Sequence, residues 1–177
     1  VLITISGLPG AGTTTTSRLV SAALELERVP GGEVFRQLAV EAGMSLALFG
    51  VYAQDHPEID RELDHRLETR ARLGGCVIEA RLAGWLAQQA GLASVRVWVH
   101  CDDAERARRV AERDGTSVAE ALADNAERAA VEQRRYHSVY GIDLLDQSIY
   151  DLVLDSSREP PEVMAEAIIA RARARFA

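Results

Sequence analysis

Gly7-Leu8-Pro9-Gly10-Ala11-Gly12-Thr13-Thr14 follows the apolar run Leu2-Ile3-Thr4-Ile5-Ser6 and leads into an amphipathic stretch that starts at Thr13. A strand that enters a helix through a glycine-rich turn is the setting of a phosphate-binding loop. Glycines let backbone N–H groups turn inward around phosphate oxygens, and the helix N-terminus adds partial positive charge. Gly7, Pro9, Gly10, Ala11, Gly12, Thr13, Thr14 and Thr15 are therefore expected to bind ATP. Thr14 occupies the hydroxyl position that ligates magnesium in such loops. One residue breaks the pattern. The loop usually carries lysine after its third glycine, and here that residue is Thr13. A threonine donates a hydrogen bond but brings no positive charge.

No other lysine makes up the deficit, because all 20 positive residues are arginine. Arg18 lies five residues beyond Thr13, about 140° around the helix axis, so it points away from the loop. Arginines from elsewhere in the chain are expected to supply the missing charge.

Hydrophobic runs alternate with amphipathic stretches to the end of the sequence. Leu2–Ser6, Arg28–Pro30, Cys76–Glu79, Val95–Val99 and Leu152–Leu154 read as strands. Helical patterns run from Thr13 to about Glu27, Glu33 to Ala42, Asp55 to about Leu73, Leu82–Ala90, Asp103–Asp114, Ser117 to about Tyr140, and Glu162–Arg175. Ser45 opens a further short helix. Gly43 and Gly115 read as stops, and Asp55 with Glu58 and Ser117 with Glu120 as capping boxes. Continuous apolar strands separated by helices imply an α/β fold, a parallel sheet covered on both faces.

The 177 residues fit one domain, and 47% hydrophobic content is enough for a real core. A net charge of −7 argues against a general nucleic-acid binder. No run reaches the ~20 apolar residues of a membrane span. The first residues lack the basic flank of a signal peptide, so the cytosol is the expected compartment. Cys76 and Cys101 border strands at opposite ends of such a sheet and are expected to be unbridged.

Several stretches beyond the loop carry a resemblance. They are Gly32-Glu33-Val34-Phe35-Arg36, Tyr52-Ala53-Gln54-Asp55-His56-Pro57-Glu58-Ile59-Asp60 and Glu79-Ala80-Arg81-Leu82-Ala83-Gly84-Trp85. Arg134-Arg135-Tyr136, Tyr140-Gly141-Ile142-Asp143 and Ser148-Ile149-Tyr150-Asp151-Leu152-Val153 complete the set. In order and spacing the chain resembles the archaeal-type cytidylate kinases, of the P-loop NTPase fold, over nearly its whole length. The resemblance implies a five-stranded parallel sheet, a helical acceptor-binding region at about 30–74 and a helical-hairpin lid at about 103–141. It implies transfer of the γ-phosphoryl group of MgATP to CMP or dCMP, in a fold that needs no partner chain to close its sheet. Threonine in place of the loop lysine also occurs in that family. Two positions depart from it: Pro30 stands where a serine or threonine is usual, and Ala80 replaces a glycine.

Arg36 and Arg81 match arginines that grip the acceptor's phosphate in that family. Glu79, at the end of its strand, is expected near the metal together with Thr14. Phosphoryl transfer to a monophosphate needs positioning and charge neutralisation rather than a strong base, work that the planar fork of arginine suits. Arg109, Arg128 and Arg135, among seven arginines between 106 and 135, are the expected catalytic ones. Asp60 and Asp64 share a helix face bordering an apolar stripe. A carboxylate accepts a hydrogen bond from cytosine's amino group, a contact that uracil lacks. Either aspartate is a candidate base reader, with Arg66 as a second polar contact. Two other readings stay open at this point: a P-loop kinase for another small phosphorylated acceptor, and a non-catalytic nucleotide-binding protein.

Overall fold

The computed structural model describes residues 1–177, except the side chains of Leu46 and Ala47. Five strands form one sheet: β1 (Leu2–Gly7), β2 (Glu27–Pro30), β3 (Cys76–Glu79), β4 (Val95–His100) and β5 (Leu152–Asp155), in the order β2-β3-β1-β4-β5. Every pairing is parallel, with Ile5 opposite Glu79 on one side and Val97 on the other. The helices are α1 (Thr13–Leu24), α2 (Gly31–Glu41), α3 (Leu46–Tyr52), α4 (Pro57–Leu73), α5 (Ala83–Gln89), α6 (Asp103–Asp114), α7 (Val118–Tyr140) and α8 (Pro161–Phe176).

The continuous apolar strands are explained by burial on both faces. Ile3, Ile5, Val77, Val95, Val97 and Val99 pack with Val20 of α1 and with Met164 and Ile168 of α8. Leu2, Cys76 and Ile78 turn to the opposite face, against Ala83 and Ala87 of α5 and Leu67 and Ala71 of α4. Ile168 is fully buried, and its truncation to alanine should cost about 2–5 kcal/mol. The α2–α4 segment has its own cluster, with Leu38, Phe49 and Ile59 buried together. Ala107, Val110 and Ala111 of α6 meet Ala121 of α7, closing these helices into a hairpin.

The Ser117–Glu120 capping box forms at the start of α7, and Ser45 accepts from the Leu48 N–H at the start of α3. The expected box at Asp55 does not form. His56 is the N-cap residue of α4, and Glu58 meets its ring nitrogen at 2.6 Å instead. Helix α1 stops at Leu24, earlier than its pattern suggests, because Glu25 adopts a left-handed φ of 53°. That turn lets Leu24 and Leu26 both pack against the core. Cys76 and Cys101 are free, buried and at opposite ends of the sheet. Among the described residues no helix is long and apolar enough to cross a membrane.

Candidate active site

The loop after β1 takes the conformation that its glycines permit. Gly10 has φ 81° and Gly12 φ 86°, where side chains are rarely tolerated. A Cβ at Gly10 would also lie 2.7 Å from the Arg106 carbonyl oxygen, because α6 packs directly on the loop. Gly7, Pro9, Gly10, Thr13 and Thr14 line a cleft of about 800 Å³. Ala11 is buried beneath the loop, and the Thr15 side chain is exposed on α1.

Glu79, at the carboxyl end of β3, is surrounded by donors. Its Oε1 accepts from Thr13 at 3.0 Å and from Thr14 at 2.6 Å, and its Oε2 from Ser17 at 2.9 Å and Arg28 at 2.8 Å. Thr13 thus places its hydroxyl on a carboxylate at the position where lysine is usual. The oxygen-only donor set of Thr14 and Glu79 fits a hard divalent cation such as magnesium.

Elsewhere along the cleft, acids and arginines interleave. Arg81 donates through Nε to Glu132 Oε2 at 3.0 Å and through Nη1 to the Gly7 carbonyl at 2.8 Å. Arg128 donates through Nε to Glu132 Oε1 at 2.9 Å. Glu132 is only 6% exposed. Burial alone would raise its carboxyl, but Arg81 and Arg128 outweigh it and hold the group below the usual carboxylate range. Arg135 Nε lies 3.0 Å from Asp60 Oδ2, an ion pair in contact but out of hydrogen-bond alignment. Asp60 is 4% exposed, and burial raises its carboxyl against the pull of Arg135. Asp64 accepts a hydrogen bond from Tyr140. Burial pushes Asp64 up to about 6, with Asp60 adding to the rise and Tyr140 and Arg135 opposing it.

Arg81, Arg128, Arg135, Asp60, Asp64 and Glu79 all line the cleft, as the sequence reading expected. Three of the expected arginines do not. Arg109 packs behind the loop, its Nη2 donating to the Ser156 carbonyl at 2.8 Å and its Nη1 lying 3.4 Å from the Gly10 carbonyl. Glu105 holds its Nε at 2.8 Å. Arg66 turns to the outside, forking onto Glu41 at 2.9 and 2.6 Å and tying α4 to α2. Arg36 is exposed and has no ion pair among the described residues, while its neighbour Phe35 lines the cleft. Sequence reasoning gave no role to Glu132 or Arg113, both of which line the cleft. Spacing held the signal, since Glu132 is four residues from Arg128 and Arg113 four from Arg109. Tyr140 opens the Tyr140-Gly141-Ile142-Asp143 stretch, yet its contact across to Asp64 of α4 arises only in the tertiary fold. The Ala80 methyl lies 2.9 Å from where a Cβ on Gly31 would stand, so the departure at position 80 is accommodated by a glycine.

Comparisons with known proteins agree with this geometry. A family model described as an AAA domain matches residues 3–132. Cytidylate kinase of Pyrococcus horikoshii is 48% identical over 162 residues, covering 92% of this chain and 83% of that protein. Cytidylate kinase of Methanococcus maripaludis is 41% identical over 159 residues, covering 89% of each. Among solved structures, shikimate kinase of Acinetobacter baumannii superposes with a TM-score of 0.63 at 13% identity, over 99% of this chain and 94% of that one, a likeness of fold alone. A glycine-rich phosphate loop facing an arginine-lined cleft, in a chain that matches its relatives nearly end to end, places this protein in the cytidylate kinase family of P-loop kinases.

Proposed function

We propose that the chain transfers the γ-phosphoryl group of ATP to CMP or dCMP, giving CDP or dCDP plus ADP. The carrying observation is one cleft lined both by the phosphate loop and by Arg81, Arg128 and Arg135. A phosphorylated acceptor bound among those arginines meets the donor's terminal phosphate in the same space. Its attacking oxygen is already ionised, so positioning and charge neutralisation do the chemistry. Magnesium, when bound at Thr14 and Glu79, neutralises charge on the β- and γ-phosphates.

In this reading α2–α4 form the acceptor region and the α6–α7 hairpin is the lid. Arg81 grips the acceptor's phosphate, and Arg128 and Arg135 meet charge on the transferring group. Asp60 is engaged by Arg135, which leaves Asp64 to read the base. Tyr140 takes one Asp64 oxygen, and the other accepts from the cytosine amino group. The enzyme acts in the cytosol as a single chain. A coupled assay of ADP release across CMP, dCMP, UMP and AMP tests the reading. CMP or dCMP should turn over fastest. Equal turnover of UMP removes the base-reading role of Asp64, and selectivity for AMP removes the acceptor assignment.

A further inference from the structure

Arg81 and Arg128 are both held by Glu132 through Nε. Arg128 donates only through Nε, and its two terminal nitrogens have no partner among the described residues. Arg81 gives Nε to Glu132 and Nη1 to the Gly7 carbonyl, leaving Nη2 without a partner among the described residues. Arg135 is held differently, its Nε against Asp60 out of hydrogen-bond alignment and its Nη2 donating to the Tyr136 hydroxyl at 3.4 Å. A guanidinium is planar with five N–H groups in fixed directions, so fixing the Nε edge fixes where the terminal pair points.

We infer that Glu132 is a positioning residue for acceptor phosphorylation, aligning Arg81 and Arg128 through their Nε groups so that their free terminal N–H groups face the acceptor's phosphate and the group transferred to it. The inference rests on these arginines being the phosphate clamp. Three observations favour it over an ion pair that merely holds the fold. Glu132 lines the cleft rather than a helix–helix seam. Its two oxygens serve arginines from separate elements, one after β3 and one a helical turn earlier on α7. Nearly buried, it stays ionised because both partners are cations. A phosphate dianion and a carboxylate repel each other, so Glu132 acts through the arginines and not on the substrate.

Glu132→Gln keeps the shape and removes the charge, leaving two guanidinium groups with a weaker shared acceptor. Steady-state kinetics should show the KM for CMP raised about tenfold and kcat lowered about tenfold or more, with the KM for ATP changed less than about twofold. Repeating the substitution in an Arg128→Ala background should give a smaller effect, because one of the two groups it aligns is gone. Glu132→Asp, which retracts the charge by one methylene, should fold and give an intermediate loss, and it decides the matter if Glu132→Gln does not fold. Unchanged CMP kinetics in a folded variant would overturn the inference. So would a lowered KM for CMP, which would make Glu132 a competitor of the acceptor. A parallel rise in both KM values with a lowered melting temperature would mark a structural role and also overturn it. If Arg128→Ala alone leaves CMP kinetics intact, the clamp itself fails and the inference falls with it.

Discussion

Thr13 donates its hydroxyl hydrogen to Glu79 Oε1 at 3.0 Å, the oxygen that also accepts from Thr14. A lysine at position 13 would bring an ammonium to a partly buried carboxylate, and a charge-assisted bond outcompetes the hydroxyl's. Thr13→Lys should therefore draw Glu79 away from Thr14 rather than repair the loop. Its kcat at saturating substrates is expected to fall about tenfold or more. A gain in kcat would show instead that the loop is limited by the missing cation.

The arginines divide by position. Arg128 and Arg135 line the cleft, whereas Arg109 is bonded to carbonyls behind the loop and after β5. Loss of the decisive cleft arginine to alanine should lower kcat by about 10³-fold, the scale of arginine fingers. Arg109→Ala should act mainly through a raised KM for ATP, because it loosens the packing of α6 on the loop. Near-normal kcat in both cleft variants would leave charge neutralisation to the backbone cradle and metal.

Asp64 gives the acceptor site a pH signature. Its carboxyl lies at about 6, well above its ordinary value, and the ionised form is the stronger acceptor for an amino group. The KM for CMP should rise as pH falls below about 6. The acceptor's phosphate titrates in the same range, so Asp64→Asn supplies the reference, and the limb that disappears belongs to Asp64. Tyr140→Phe removes a donor that favours the ionised form and should move this limb to higher pH. For stability the sign is opposite. A carboxyl raised in the folded state favours folding at low pH, so Asp64's contribution is lost as pH rises from its ordinary value through about 6.

Motion of the lid should be confined to its outer part. The end of α7 is fixed by Arg135 to Asp60, Tyr140 to Asp64 and Gln133 to Asp143, with Ile142 and Leu144 buried beside Trp98. A hinge near Ile142–Leu144, which the lid pattern alone would suggest, falls inside that packing. Amide exchange on binding a bisubstrate analogue should slow at about 112–131, while 132–140 stays protected throughout. Equal slowing over the whole of α7 would place the hinge at its end after all.

Strands, helix order and the phosphate loop were legible because each rests on local chemistry: apolar runs, glycine placement and the Ser117–Glu120 cap. The cleft residues near strand ends, Glu79 and Arg81, were legible for the same reason. Arg109 and Arg66 were harder. A helical pattern says which residues share a face, but not whether that face meets the cleft, the back of a loop or another helix. Ser156 and Glu41, which capture these two arginines, lie 47 and 25 residues away in sequence. Glu132 was overlooked because one of six acids in an arginine-rich stretch reads as a surface ion pair until its burial is known.

The bond from Arg81 to the Gly7 carbonyl ties the arginine after β3 to the first residue of the phosphate loop. In the proposed function Gly7 belongs to the donor's loop and Arg81 takes the acceptor. A ligand that strengthens or breaks this bond from one side changes the free energy of binding on the other. Linkage makes that exchange reciprocal: whatever factor one nucleotide imposes on the affinity of its partner, the partner returns. On that proposal donor and acceptor are expected to bind as thermodynamically coupled ligands, with a single hydrogen bond between a side chain and a backbone oxygen as the link between them.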